Sequence, residues 1–225
     1  MAFPRPVQAV VFDMDGLLID SEGLVREGIL MAARNLGFEM PVSVCAAMIG
    51  LPMERGKAVI RDHFGPGFDM ESYVAEEQRV IAGLFQEGVA LKAGVVEILD
   101  QLDILALPRA VATSSGRGSV NANLGFNEIL HRFHAIVSRE DVSRHKPHPD
   151  PFLKAAAHLG VEPHACLALE DSHNGVRAAH AAGMMTVMVP DLLDPTEEMH
   201  AKCVHIAESL HEVTRLLALQ AGAAP

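Results

Sequence analysis

Two patterns of apolar and polar positions divide this chain. Residues 7–12 form a short apolar run, interrupted only by Gln8, that reads as a buried strand. From about residue 22 to residue 87 the spacing turns helical, with no clear strand. Residues 22–36 carry apolar side chains at helical intervals and meet Gly37, a suitable C-terminal cap. Val42–Met48 predicts a short helix that ends before Gly50. Pro52 suits the first position of a helix to about Phe64, closed by Gly65. Asp69 can cap a further helix reaching about Glu87. After Gly94, helices and strands alternate. Helix 95–105 precedes strand Arg109–Ala112, and a helical stretch at 119–124 precedes strand Ala135–Val137. Helix 151–159 precedes strand 165–169, helix 175–182 precedes strand 186–189, and a last helix covers about 210–219. The Ala/Gly tail from Gln220 to Pro225 reads as a frayed end.

Strands separated by helices imply a parallel sheet. The expected fold is α/β: a Rossmann-like parallel sheet core with helices on both faces, plus a small four-helix cap domain. The core domain is discontinuous, residues 1–16 and 92–225, and the cap domain takes 17–91.

Composition narrows the function classes. A net charge of −11, from 18 basic and 29 acidic residues, disfavours nucleic acid and anionic membranes as partners. It leaves room for a small anionic substrate held by one or two local cations. The N-terminal stretch has no long apolar core, and no run approaches the roughly 18 apolar residues of a membrane span. The three cysteines, Cys45, Cys166 and Cys203, are odd in number and far apart, as expected of free thiols in a cytoplasmic protein. A monomer or homodimer is expected.

Candidate chemistry sits in four clusters at or just beyond predicted strand ends. Val10-Val11-Phe12-Asp13-Met14-Asp15-Gly16 ends an apolar strand in two carboxylates, which point the same way if the segment is extended. Open α/β sheets place ligands at such carboxyl ends. Thr113-Ser114-Ser115-Gly116 follows the second strand. Arg144-His145-Lys146-Pro147 and Glu170-Asp171-Ser172 follow later ones. In a parallel sheet these ends meet along one edge. Asp13, Glu170 and Asp171 are hard oxygen ligands suited to magnesium. The hydroxyl and amides at Thr113 and Ser114 suit phosphoryl oxygens, helped by the following helix N-terminus. Lys146 adds a compact positive charge. Taken singly, each cluster also fits a helix cap, a polar turn or a solvated lysine. The acids need a cation to coexist, so the four together favour a site. The twelve histidines read as surface residues.

On these residues the chain resembles the haloacid dehalogenase-like superfamily, in the group with a helical cap inserted after the first strand. Asp13-Met14-Asp15-Gly16-Leu17-Leu18-Ile19-Asp20-Ser21-Glu22 is similar to the first family motif and Thr113 to the second. Lys146 before Pro147 is similar to the third, and Glu170-Asp171-Ser172-His173-Asn174-Gly175 to the fourth. The resemblance implies that Asp13 attacks phosphorus to form an aspartyl-phosphate. It implies that Asp15 is the general acid and then the base. Magnesium would be held by Asp13, the Asp15 main-chain carbonyl and Asp171, with Glu170 direct or through water. Thr113, the Ser114 amide and Lys146 would grip the phosphoryl group. The cap would close over the substrate and exclude water.

Within the family, Asp15 separates this chain from the dehalogenases, which carry no acid there. Lys57 does not stand where the phosphonate-cleaving relatives place their Schiff-base lysine. Val25 stands where the β-phosphoglucomutases carry a cap histidine. The expected activity is therefore that of a phosphatase of a small phosphorylated metabolite. A sugar-phosphate mutase is the alternative, and a non-catalytic binding protein on the same fold is the third reading. Residues 49–52 and Arg55 fall where relatives carry a specificity loop, so Arg55 is a candidate for a second anionic group of the substrate. The segment 116–133 is shorter than its usual equivalent by about one helical turn.

Overall fold

A computed structural model describes residues 3–48, 53–86 and 88–222. The chain forms two compact units, one of residues 1–19 with 91–225 and the other of residues 20–90.

The first unit is built on a six-stranded, all-parallel sheet of order β3-β2-β1-β4-β5-β6. Its strands are β1 Ala9–Phe12, β2 Arg109–Ala112, β3 Ala135–Val137, β4 Cys166–Glu170, β5 Met185–Met188 and β6 His205–Ile206. The four residues of β1 and the five of β4 are all buried. Both faces are therefore covered, which is why these strands read as continuous apolar runs. One face presents Ala9, Val11, Ala110, Ala112, Val137 and Ala168. Two helices bring Phe152, Ala155, Ala178 and Ala179 to that layer: α7 Asp150–Leu159 and α8 His173–Ala181. Small residues on the strands let α7 and α8 approach closely. The intervening residues Val10, Phe12, Leu167 and Leu169 point to the opposite face by the period of two and are fully buried. On this unit, α5 Val95–Ile104 and α10 Leu210–Gly222 pack against each other.

Strand β1 lies between β2 and β4, so the chain leaves it towards one edge and returns to its other side. That reversal opens a crevice at the carboxyl ends of β1 and β4.

The second unit contains α1 Ser21–Asn35, α2 Val42–Met48, α3 Met53–Phe64 and α4 Met70–Gln86. Asp20 caps α1 by accepting from the Gly23 N–H, and Asp69 accepts from the Ser72 N–H at 3.1 Å ahead of α4. Gly37 and Gly65 take φ of +81° and +83°, the left-handed geometry that stops α1 and α3. Its interior is aromatic: Phe38 meets Phe64 and Phe68 edge-on, each at 5.2 Å between centroids, and Tyr73 at 5.9 Å.

Several boundaries differ from the sequence reading. Gly50, Pro52, Glu87 and residues 223–225 lie outside the described residues. The helix after Thr113 is longer than expected, α6 Arg117–Phe126. A short helix, α9 Glu197–Lys202, and the two-residue β6 were not expected. Both are too short to leave a periodic signal. The expectation that the tail frays from Gln220 is corrected. α10 runs to Gly222, because the Gln220 side chain accepts from the Val7 N–H at 3.2 Å and donates to the Arg5 carbonyl at 2.9 Å. Those bonds tie the helix to the segment entering β1.

Candidate active site

The site grows from the ends of neighbouring strands. The Asp13 N–H donates to the Leu169 carbonyl at 3.0 Å, carrying the β1–β4 ladder one residue past β1. The chain then turns sharply. Gly16 takes φ of +79°, and its N–H reaches the Ile19 carbonyl at 3.0 Å. A Cβ at Gly16 would stand 2.2 Å from Asp171 Oδ2, so only glycine lets that carboxylate approach. Because β1 and β4 pair with Phe12 beside Leu169, Asp13 stands level with Glu170, and Asp171 follows one residue further along the crevice.

Lys146 crosses from the loop before α7 and unites two acids. Its Nζ donates to Asp13 Oδ1 at 2.5 Å and to Glu170 Oε1 at 2.5 Å, and sits 5.1 Å from the centre of the Phe152 ring. All three charged groups are buried, Glu170 completely. Burial, outweighing the attraction of Lys146 and reinforced by Glu170 and Asp15, pushes the Asp13 carboxyl up to about 7. Burial works against the charge on Lys146, but its two carboxylate partners prevail and hold the ammonium above its ordinary value.

Glu170 is the last residue of β4, and its second oxygen is equally engaged. Oε2 accepts from the Asp171 and Ser172 N–H groups, both at 3.2 Å, and from the Ser172 hydroxyl at 3.0 Å. The carboxylate thus lies over the start of α8, where helix amides favour an anion. A Cβ at Gly175 would fall 1.7 Å from Glu170 Oε1, so glycine is required in that first turn.

Asp15 is half-buried and meets a different set of partners. Its Oδ2 accepts from the Ser115 hydroxyl at 2.6 Å and, at the long limit of 3.4 Å, from Thr113 Oγ1. Thr113 is buried and extends β2, its N–H donating to the Val137 carbonyl at 2.9 Å. Ser114 is exposed. The first amide of α6 is already taken: the Arg117 N–H donates to Glu140 Oε2 at 3.0 Å.

Asp13, Glu170 and Asp171 offer carboxylate oxygens that all lie within 4.8 Å of one another. The set is hard oxygen throughout, and the Cβ-free space at Gly16 accommodates Asp171 beside it. This donor chemistry fits a divalent cation of the magnesium or calcium kind.

The structure brings Asp13, Lys146, Glu170 and Asp171 together and places Asp15 with Thr113 and Ser115. Arg55 is an exposed residue of α3 in the helical unit. Lys57, also on α3, pairs with Glu54 at 2.8 Å. Val25 packs against the core of the helical unit. Sequence reasoning assigned no role to Ser115 or Glu140. A second hydroxyl two residues after Thr113 was the available signal for Ser115. Glu140 gave none, because its target amide is 23 residues away.

The sequence profile of the haloacid dehalogenase-like hydrolases matches residues 10–189. The chain belongs to that family. It is 36% identical over 193 residues to a Drosophila melanogaster protein named "Probable pseudouridine-5'-phosphatase", covering 83% of each chain. It is 34% identical over 194 residues to hexitol phosphatase B of Escherichia coli (strain K12), covering 84% of this chain and 86% of that one. It is 30% identical over 185 residues to fructose-1-phosphate phosphatase YqaB of the same strain, covering 80% and 95%. Among solved structures, a family hydrolase from Deinococcus radiodurans R1 with bound phosphate and sodium superposes with a TM-score of 0.84. The identity is 25%, over 98% of this chain and 99% of that one. These relatives place the enzyme among the phosphatases of the family. No helix of the described residues is long and apolar enough to cross a membrane.

Proposed function

We propose that this enzyme is a magnesium-dependent phosphomonoester hydrolase of a small phosphorylated metabolite, working through an aspartyl-phosphate on Asp13. The observation that supports it most is the division of labour between the two carboxylates that follow β1. Asp13 is buried and held by Lys146 at 2.5 Å, as a fixed nucleophile requires. Asp15 is half-buried and held by hydroxyls, as suits a group that exchanges protons.

In the proposed reaction, an Asp13 carboxylate oxygen attacks phosphorus in line. The bond to the leaving oxygen breaks as Asp15 gives that oxygen its proton. Asp15, now a carboxylate, takes a proton from a water whose oxygen attacks the phosphoryl group. Inorganic phosphate leaves and the Asp13 carboxylate returns. Thr113, the Ser114 amide and Lys146 hold the phosphoryl oxygens throughout. Asp13, the Asp15 carbonyl and Asp171 would hold the magnesium, with Glu170 acting through water since both its oxygens are engaged. When bound, the ion supplies positive charge that lets an anionic ester approach three carboxylates. The named substrates of the relatives, a fructose phosphate, hexitol phosphates and a nucleoside phosphate, support a small polyol or sugar ester as the substrate class.

Asp13→Asn tests the reading on p-nitrophenyl phosphate with magnesium. A drop of at least about a thousandfold is expected, with an unchanged circular dichroism spectrum. Hydrolysis at the wild-type rate would overturn the proposal.

A further inference from the structure

We propose that Ser115 is the positioning residue of the acid–base carboxylate, holding Asp15 so that its transferable proton sits on Oδ1. The inference rests on the acid–base role proposed above for Asp15.

Ser115 is fixed from both sides of its own backbone. Its N–H donates to Thr113 Oγ1 at 3.0 Å, and its carbonyl accepts from the Arg139 N–H at 3.0 Å. The hydroxyl that remains reaches Asp15 Oδ2 at 2.6 Å, while Thr113 reaches the same oxygen only at 3.4 Å. Ser115 is therefore the principal tether and Thr113 a weak second. The backbone of Asp15 is anchored independently through its bridge to Ile19. What the tether fixes is the side-chain rotation.

A carboxylic acid has one accepting oxygen and one that carries hydrogen. The Ser115 hydroxyl donates to Oδ2, which marks it as the acceptor, and the single hydroxyl hydrogen of Thr113 is left for the phosphoryl group. The hydrogen of the neutral acid then belongs on Oδ1, and the rotation that aims Oδ1 is set by the short Ser115 bond. Aiming matters when the leaving oxygen is a poor leaving group, because an alkoxide departs only as it is protonated. It matters little for a phenolate that departs unaided. Loss of the tether thus penalises alkyl esters selectively.

The experiment compares kcat/KM, which covers the steps through departure of the alcohol, on glycerol 2-phosphate and on p-nitrophenyl phosphate. Ser115→Ala is expected to lower the alkyl ester value about tenfold more than the aryl one. Ser115→Thr, which keeps the hydroxyl, is expected to restore the ratio. Ser115→Cys, close in size but a weak donor, is expected to show the split with the fold retained. Equal losses on both esters in the Ala and Cys variants, or no loss, would overturn the proposal. Asp15→Asn separates the two layers of argument. If it shows no split, the acid–base reading of Asp15 fails. If it shows the split and the Ser115 variants do not, only the positioning role fails.

Discussion

The two units of this enzyme bury opposite kinds of chemistry. In the sheet unit, Asp13, Glu170, Asp171 and Arg109 are all buried, with Thr113, Ser138, Asn123 and Thr186. Among the described residues of the helical unit, Ser21 alone joins that class, and the interior is apolar. The sheet unit tolerates buried charge because strand ends and helix starts surround each group with partners. Glu170 alone receives Lys146, two amides and a hydroxyl. A helical interior satisfies its backbone internally and offers few donors for a buried charge. The helical unit concentrates aromatic rings instead, with Phe38 touching Phe64, Phe68 and the single tyrosine of the chain. One unit is organised around charge and the other around packing.

The sharpest way to break this contrast is Lys146→Met. It leaves Asp13 and Glu170 facing each other without their cation, and removal of one member of a buried ion pair costs about 3–5 kcal/mol. Urea denaturation followed at the sheet unit should show a loss of that size together with loss of turnover. A variant of wild-type stability would mean that the buried charges do not depend on one another.

Phe38→Ala strikes the other unit. Phe38 makes three ring contacts but is only partly buried, so the expected cost is about 2–3 kcal/mol. The two buried thiols report each unit by alkylation rate in mild urea, Cys45 on α2 and Cys166 on β4. The variant should speed labelling of Cys45 and leave Cys166 unchanged. Equal acceleration of both would show that the units open together. The smallest effect belongs to Gln220→Ala. Removing its two bonds to Val7 and Arg5 should cost about 1 kcal/mol, seen as a modest fall in Tm without change in activity.

The match between pattern and structure is best where one local signal decides the outcome. The apolar run ending in Asp13 and Asp15 defines β1 and its carboxylates, and Gly37 and Gly65 stop α1 and α3 as their spacing predicts. The four motif clusters were all visible, as was the family they belong to. The readings failed where a partner lies far along the chain. Gln220 looked like part of a loose tail because its bonds go to Val7 and Arg5, more than 200 residues away (|i−j| of 213 and 215). At the α6 N-terminus the first amide bonds Glu140, a partner 23 residues away that no local pattern announces.

By itself, the sequence determined the alternation of strands and helices, the helical insertion, and the residues that carry charge at strand ends. These follow from period, caps and turn residues, which act over a few positions. Only the tertiary structure decided which charges meet. The β1–β4 pairing brings Glu170 level with Asp13 and Asp171 close by, Lys146 closes on both Asp13 and Glu170, and Ser115 rather than Thr113 takes the short bond to Asp15. The physical reason is range. A hydrogen bond or ion pair forms within about 3 Å in space, and sheet register, not sequence distance, sets which atoms come that close.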